Sequence, residues 1–357
     1  MELKRHNQNP ILKPIKENKW ESGAVFNCGA IYEGGSVSLL YRAIGEYKNY
    51  ISRLGYATSK DGVNFKRNDK PVFEPLEEYE KWGCEDPRIT KIGDKFYITY
   101  VAHNKPATKS GPTRTALAST TDFIHFKRHG IITPKGADDR DVVLFPEKIN
   151  GKYVMLHRPY SWTKKKVFEK DGKLHLKVKR KIMEWPIKEV PNYFPEKPSI
   201  WIAYSDNLKD WFGHKVLIEP NSRGLMKIGA GAPPLKTKDG WLVLYHDVKR
   251  IVKDPKYKSW RGKVRICEYR VRAALLDLKD PSKIIANPAQ SILLPKEDYE
   301  LEGDVPLVVF LEGAIIKGDE LFVYYGAADT TCCLATCKLN ELMDFLLKKS
   351  SNLNDPG

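Results

Sequence analysis

The sequence predicts an all-β protein, a five-bladed β-propeller with a short C-terminal helix. Three observations carry that prediction. A unit made of a glycine-containing turn, an apolar or alternating strand, a second strand and a polar turn recurs five times along the chain. The units follow one another at roughly 60 to 90 residues, and a small sheet of that kind can bury a face only against its neighbours, which points to radial repetition. Helical periodicity is confined to the C-terminal end.

The first strands are residues 36–42, 95–101, 152–158, 241–246 and 321–325, opened by Gly34-Gly35, Gly93-Asp94, Asn150-Gly151, Asp239-Gly240 and Gly318-Asp319. Their partners are residues 53–59, 115–119, 200–205, 271–276 and 331–337. Three of the partners run into a similar polar turn, at Ser59-Lys60-Asp61-Gly62, Thr120-Thr121-Asp122-Phe123 and Ser205-Asp206-Asn207-Leu208. A helix is expected over about 339–348, where Leu339, Leu342, Met343, Leu346 and Leu347 recur at helical spacing. The whole of 1–357 reads as one propeller, with an N-terminal arm to about residue 20 and an insertion at about 161–198. The competing architecture is a pair of β-sandwiches. It does not explain why the first strands end on polar or charged groups, which in a propeller converge on the axis.

Hydrophobic residues make up 41% of the 357 and charged residues 29%, with Trp 8, Tyr 18 and Phe 13, a composition with ample material for a core. The N-terminal Met1-Glu2-Leu3-Lys4-Arg5-His6 lacks the apolar run of a signal peptide, and no later run has the length of a membrane span. A cytoplasmic protein without a membrane partner is expected. Cys28, Cys84, Cys267, Cys332, Cys333 and Cys337 have neither disulfide-framework nor metal-ligand spacing and read as reduced thiols, with no metal site. The formal charge of +15 steers anions without naming them. Basic clusters at Lys164-Lys165-Lys166 and Lys177-Val178-Lys179-Arg180-Lys181 look like edges of the insertion, and no nucleic-acid-binding motif accompanies them.

The stretch Gly83-Cys84-Glu85-Asp86-Pro87-Arg88 packs two carboxylates and a guanidinium into four residues and reads as a tight turn. By itself it is as well explained by a solvated loop. Its setting changes the weight. Asn27, Arg42, Asp139, Arg140, Asp141, His157, Arg158, Lys227, Tyr245, His246 and Asp329 occupy equivalent strand ends or adjoining loops, and together with the acidic stretch they describe a concave polar site. His157 alone reads as a hydrogen-bonded core histidine. The mixture of carboxylates with Arg and His suits a glycosidic bond and an oxyanion. An inverting glycosidase needs a second carboxylate to activate water. A phosphorylase needs one acid and a basic set to hold its anionic nucleophile.

In order, Gly83-Cys84-Glu85-Asp86-Pro87-Arg88, Asp139-Arg140-Asp141, Phe145-Pro146-Glu147-Lys148, His157-Arg158-Pro159, Gly229-Ala230-Gly231-Ala232-Pro233-Pro234, Tyr245-His246 and Tyr324-Tyr325-Gly326-Ala327-Ala328-Asp329 resemble glycoside hydrolase family 130, the β-mannoside phosphorylases and related enzymes. The resemblance runs from about Asn27 to Asp329 and implies a five-bladed propeller with an axial active site. It further implies inverting phosphorolysis of a terminal non-reducing β-mannosyl unit of a β-manno-oligosaccharide. The product would be α-mannose 1-phosphate, with inorganic phosphate as co-substrate and no cofactor.

On this resemblance Asp86 matches the proton donor, acting through the 3-hydroxyl of the sugar. Arg140, Arg158 and His246 match phosphate ligands, with Tyr245 and Lys227 as helpers. Asn27, Arg42 and Asp329 match positions that hold the mannose. From their place beside it, Glu85, Arg88 and Asp141 are counted with the substrate-binding set, Glu85 and Arg88 as supports that orient Asp86. The retained basic set favours phosphorolysis over hydrolysis. One departure is Cys28, where a small hydroxyl residue is expected. A general likeness leans to β-1,2 over β-1,4 linkages. The alternatives are a β-mannoside hydrolase with Glu147 or Asp141 as base, and a non-catalytic glycan-binding propeller. Aromatics of the insertion and of a loop at about 252–265, Trp260 among them, suit either sugar stacking or packing. A homo-oligomer is compatible with the sequence.

Overall fold

The structure, a computed structural model, describes residues 1–106, 113–178, 181–220 and 224–351; Lys179 and Arg180 of the second basic cluster lie outside them. It holds five antiparallel sheets in chain order, the blades of the expected propeller. Blade one comprises Ala24–Glu33, Ser36–Ile44, Ser52–Ser59 and Lys66–Arg67, and blade two Cys84–Ile92, Lys95–Ala102, Arg114–Thr120 and Lys127–Ile131. Blade three comprises Asp139–Leu144, Tyr153–Pro159, Ile200–Ser205 and Trp211–Ile218. Blade four is built on Leu225–Ala230, Trp241–Arg250, Cys267–Leu276 and Ile284–Ala286, with Leu235–Lys236 added to its second strand.

Blade five comprises Val309–Lys317, Glu320–Ala327 and Thr331–Lys338, and takes its outer strand from the other end of the chain. Lys4 pairs with Thr336 and Arg5 with Ala335, so part of the expected N-terminal arm is a strand that closes the ring.

The hairpins read from the sequence are therefore the second and third strands of each blade. The innermost strand precedes them and was not recognised as one, because its polar residues interrupt the pattern. Gly83–Arg88 in particular is no turn: Cys84 opens the inner strand of blade two, and the irregularity within it is a bulge.

The core lies between blades rather than inside one, because alternate residues of each strand face opposite neighbours. Tyr41 and Val37 of blade one meet Tyr324 and Leu334 of blade five, while Leu40 of the same strand packs with Ile89 and Ile98 of blade two. Val143 and Leu156 of blade three meet Trp241 and Val243 of blade four. The three similar turns share one mechanism. Asp61, Asp122 and Asn207 each use Oδ1 to accept the amide hydrogens two and three residues ahead.

The insertion forms a separate three-stranded sheet, Val167–Lys170, Lys173–Val178 and Lys181–Glu184. Trp162, Trp185 and Phe194 pack with Trp201 of blade three, so these aromatics anchor the insertion and face no sugar. The C-terminal helix runs Leu339–Ser351, and a short helix at Asp298–Leu301 adds a single turn the sequence did not announce. Among the described residues no helix is long and apolar enough to cross a membrane.

Candidate active site

The inner strands are bulged near their N-terminal ends, between Phe26 and Cys28, Glu85 and Arg88, and Arg140 and Val143. The residues at those bulges are Asn27, Asp86 and Asp141, with φ of 49°, 54° and 58°. Among non-glycine residues Asn and Asp tolerate this left-handed conformation best, and a bulge re-aims one side chain while its neighbours stay in register. Cys28 is thereby turned into the core between blades one and five. Two glycines make the close approaches possible. A Cβ on Gly229 would stand 2.1 Å from Asp141 Oδ2, and one on Gly326 2.1 Å from Asn27 Oδ1.

Asp86 stands at the centre of a satisfied group. Its Oδ1 accepts from Asn27 Nδ2 at 2.9 Å and from Arg42 Nη1 at 3.0 Å. Arg42 Nη2 donates to Glu85 Oε1 at 2.6 Å, and its Nε donates to Ser52 Oγ at 3.0 Å. Glu85 also meets Ser52 Oγ at 3.0 Å and His103 Nε2 at 2.9 Å. Burial alone would raise Glu85, but Arg42, His103 and Ser52 outweigh it and hold the carboxylate well below its usual range. Glu85 is thus a fixed anion that orients Arg42, and Arg42 orients Asp86. Asp329, in the hairpin turn of blade five at φ 51°, completes this side. Burial, helped by Asp86 and Asp304 and opposed by Arg42, raises its carboxyl to about 7.

Arg88 is the support for Asp86 that the sequence suggests, and burial takes it out of the substrate-binding set. It is 1% exposed. Its Nε donates to the Gly231 carbonyl at 3.1 Å and its Nη1 to the Asp86 carbonyl at 2.9 Å. Its Nη2 lies 3.5 Å from Asp141 Oδ1 and 3.2 Å from Glu312 Oε1. Arg88 therefore ties blades two, three, four and five together under the bulge that presents Asp86.

Asp141 is likewise a holder, not a free base. Its Oδ2 accepts from Arg158 Nε at 2.6 Å and lies 3.5 Å from His246 Nε2. Against its burial, Arg158, His246 and Arg88 keep it ionised far below the usual carboxylate range.

Beyond Asp141 lies a basic group of different character. Arg140 and Arg158 are directly opposed on the antiparallel ladder of blade three. Like charges in that relation repel, and Asp141 at 2.6 Å from Arg158 and Asp138 at 3.4 Å from Arg140 offset them only through other atoms of each guanidinium. Arg140 Nε, Arg158 Nη1 and both ring nitrogens of His246 are buried without a hydrogen-bond partner. Burial pushes His246 down to about 3, with Asp141 opposing and Arg158, Lys227 and Arg88 adding, so its ring is neutral near pH 7. The ammonium of Lys227 lies over the Tyr269 ring at 5.1 Å and near the Tyr160 ring at 5.9 Å, and Arg158 lies over Tyr160 at 5.8 Å. Buried donors facing no acceptor make an oxyanion site.

Two sequence expectations do not join the site. Tyr245 was placed beside the phosphate, but it alternates with His246 and faces the core of blades three and four, and its hydroxyl donates to Asn287 at 2.6 Å. Glu147, considered as a hydrolytic base, follows the far end of the inner strand of blade three and pairs with Lys236 at 2.7 Å in an exposed position. His157 is the core histidine expected, bonded to Asp139 Oδ2 at 2.7 Å and to His214 at 3.0 Å.

The sequence reading missed His103, Ser52, Thr113 and Glu312. His103 follows directly on the second strand of blade two, Lys95–Ala102. Glu312 is the one carboxylate in the mainly apolar strand Val309–Lys317 and sits at its bulge.

A model of the glycoside hydrolase 130 family, described as beta-1,4-mannooligosaccharide phosphorylase, matches residues 2–348. The chain belongs to glycoside hydrolase family 130. A 1,2-beta-oligomannan phosphorylase of Thermoanaerobacter sp. (strain X514) is 40% identical to this family member over 96% of its chain and 99% of the relative. A beta-1,2-mannobiose phosphorylase of the same organism is 39% identical, covering 92% and 94%. The solved beta-1,2-mannobiose phosphorylase from Listeria innocua, in complex with beta-1,2-mannobiose, superposes with a TM-score of 0.72 at 29% identity, over 97% of this chain and 99% of that one. Its match extends across all five blades of this family 130 chain.

Proposed function

We propose that this chain is an inverting β-mannoside phosphorylase that releases a terminal non-reducing β-mannosyl unit as α-mannose 1-phosphate, acting on β-1,2 linkages. The observation that carries the reading is the set of buried, unpartnered donors on Arg140, Arg158 and His246, joined to the acid Asp86 through Arg88 and Asp141. Phosphate supplies the acceptors those donors lack and the negative charge that Arg140 and Arg158 require.

Asn27, Arg42 and Asp329 hold the mannosyl unit against Asp86. The proton of Asp86 passes to the 3-hydroxyl oxygen as the proton of that hydroxyl moves to the bridging oxygen. A phosphate oxygen attacks C1 from the opposite face, the bond to the leaving sugar breaks, and β becomes α. The reaction calls on no cofactor beyond phosphate itself.

Hydrolysis would need a carboxylate free to activate water. Glu85 and Asp141 are clasped by cations, and Glu147 is at the wrong end of its strand. The preference for β-1,2 rests on two relatives near 40% identity, both named for that linkage.

The test is incubation with β-1,2-mannobiose with and without phosphate. Mannose 1-phosphate and mannose should appear in equal amounts, and only with phosphate. Mannose released without phosphate overturns the reading, and a panel of β-1,3- and β-1,4-linked mannobioses tests the linkage.

A further inference from the structure

We infer that Trp260 is a preformed platform for a pyranose ring on the leaving-group side of the site, an inference that rests on the phosphorylase reading. Trp260 is 60% exposed, so most of its indole is open to a ligand. The loop that carries it is nevertheless rigid. The Trp260 amide donates to the Gly303 carbonyl at 3.2 Å, the Gly262 amide to the Ser259 carbonyl at 2.8 Å, and the Lys263 amide to the buried Ser259 Oγ at 3.1 Å. Next to it Arg261 forms a two-point pair with Asp304, Nε to Oδ1 at 2.6 Å and Nη2 to Oδ2 at 3.0 Å.

Asp304 links this loop to the sugar pocket. It is fully buried and also accepts from the Tyr50 hydroxyl at 2.8 Å. The Tyr50 ring has the guanidinium of Arg261 at 4.8 Å and that of Arg42 at 5.5 Å. Arg42 is the group that holds Asp86. Rings make the same connection: Trp260 meets Tyr47 edge-on at 6.5 Å, and Tyr47 meets Tyr50 at 6.1 Å. The loop leaves blade four, yet its contacts are with Tyr47 and Tyr50 beside blade one and with Gly303 and Asp304 before blade five.

The direction of the reaction then assigns the occupant. In an inverting displacement the nucleophile and the leaving group lie on opposite sides of C1. The unpartnered donors belong to blades three and four, so the departing sugar leaves toward the side where Trp260 stands. A flat, rigid indole takes the apolar face of a sugar ring at small entropic cost.

The experiment is synthesis in reverse, with α-mannose 1-phosphate as donor and mannose or β-1,2-mannobiose as acceptor, comparing Trp260→Ala and Trp260→Phe with wild type. We expect Trp260→Ala to raise the acceptor KM about tenfold and Trp260→Phe far less, with the donor KM unchanged in both. An unchanged acceptor KM in Trp260→Ala overturns the inference, as does a shift in oligomeric state without a shift in acceptor KM, which would assign the indole to a second copy of the chain. Should wild type catalyse no transfer from mannose 1-phosphate, the phosphorylase reading fails on its own. Calorimetric titration of wild type and Trp260→Ala with β-1,2-mannotriose then decides the platform separately, equal affinities overturning it.

Discussion

The two sides of the axial site are built from the same kinds of residue and differ in how complete they are. Around Asp86 the cations already have their anions: Arg42 bridges Asp86 and Glu85, Asn27 donates to Asp86, and His103 and Ser52 hold Glu85. Among the atoms left without a hydrogen bond there is an acceptor, Asn27 Oδ1. Around Arg158 the unpaired atoms include guanidinium donors on Arg140 and Arg158 and the ring nitrogens of His246, one donor and one acceptor in the neutral ring. The first group can take a ligand that offers hydroxyl donors, and the second can take an anion. The proposed sugar and phosphate would each find a complement in that arrangement of donors and acceptors.

The comparison breaks most visibly at Asp86. Asp86→Asn keeps the shape of the side chain and its acceptor for Arg42 while removing the transferable proton. Phosphorolysis should fall by about 10²- to 10⁴-fold. The unfolding midpoint should stay close to that of wild type. Retained activity would place the acid elsewhere.

On the other side Arg158 and Arg140 should separate stability from phosphate affinity. Arg158 is buried and pairs with buried Asp141, so Arg158→Leu leaves a carboxylate short of its main counter-charge and should cost about 3–5 kcal/mol in denaturant unfolding. The Arg140 side chain is 37% exposed and makes its bonds to Thr113 and Asp138. Arg140→Ala should leave stability within about 1 kcal/mol of wild type. It should also remove most of the thermal stabilisation that saturating phosphate gives the wild type by mass action. Equal phosphate shifts in the variant and wild type would show that the anion binds elsewhere.

How much of this was legible in the sequence depends on which residues carried a period. The second and third strands of every blade alternate cleanly or run apolar between glycine turns, and their bounds fall within a few residues of the observed ones. The inner strands were missed because their function spoils their pattern. Asn27, Asp86 and Asp141 occupy bulges at positive φ, which local reasoning assigns to turns. Residue identities near the axis were readable, since Arg42, Arg158 and His246 are polar groups within second strands and Asp86 and Asp329 are polar groups in the segments beside them. Contact partners were not. Nothing local distinguishes Arg88, locked between four blades, from an arginine free to touch sugar. Tyr245 could have been excluded, because alternation along a strand puts it on the face opposite His246.

Asp329 sharpens the sugar side through pH. Its carboxyl stands at about 7 in the folded chain against an ordinary 3.8. Between those values the unfolded chain has released the proton and the folded chain has kept it. Stability from this group is therefore full below about pH 3.8 and declines as pH rises toward 7. Asp329→Asn has no proton to release. The midpoint of Asp329→Asn relative to wild type should rise steadily from pH 4 to pH 7 and level off above, in thermal scans at fixed ionic strength. A difference independent of pH would place Asp329 in water, outside the buried group around Arg42.

The smallest effect expected is at Tyr245, and it tests the boundary of the phosphate side. The hydroxyl is bonded to Asn287, and the ring packs among core side chains of blades three and four. Tyr245→Phe keeps the ring and removes one hydrogen bond, worth about 0.5–1.5 kcal/mol. The phosphate KM should not move, because no atom of Tyr245 faces the Arg140–Arg158 pair. In His246→Ala the order reverses: a ring that touches Asp141 and the anion pocket is lost, and phosphate affinity should drop more than stability does. Two adjacent residues on one strand would then differ in kind, one acting on the fold and one on the anion, as strand alternation requires. A raised phosphate KM in Tyr245→Phe would mean that the pocket reaches through the strand, and that its wall is not the one the buried donors define.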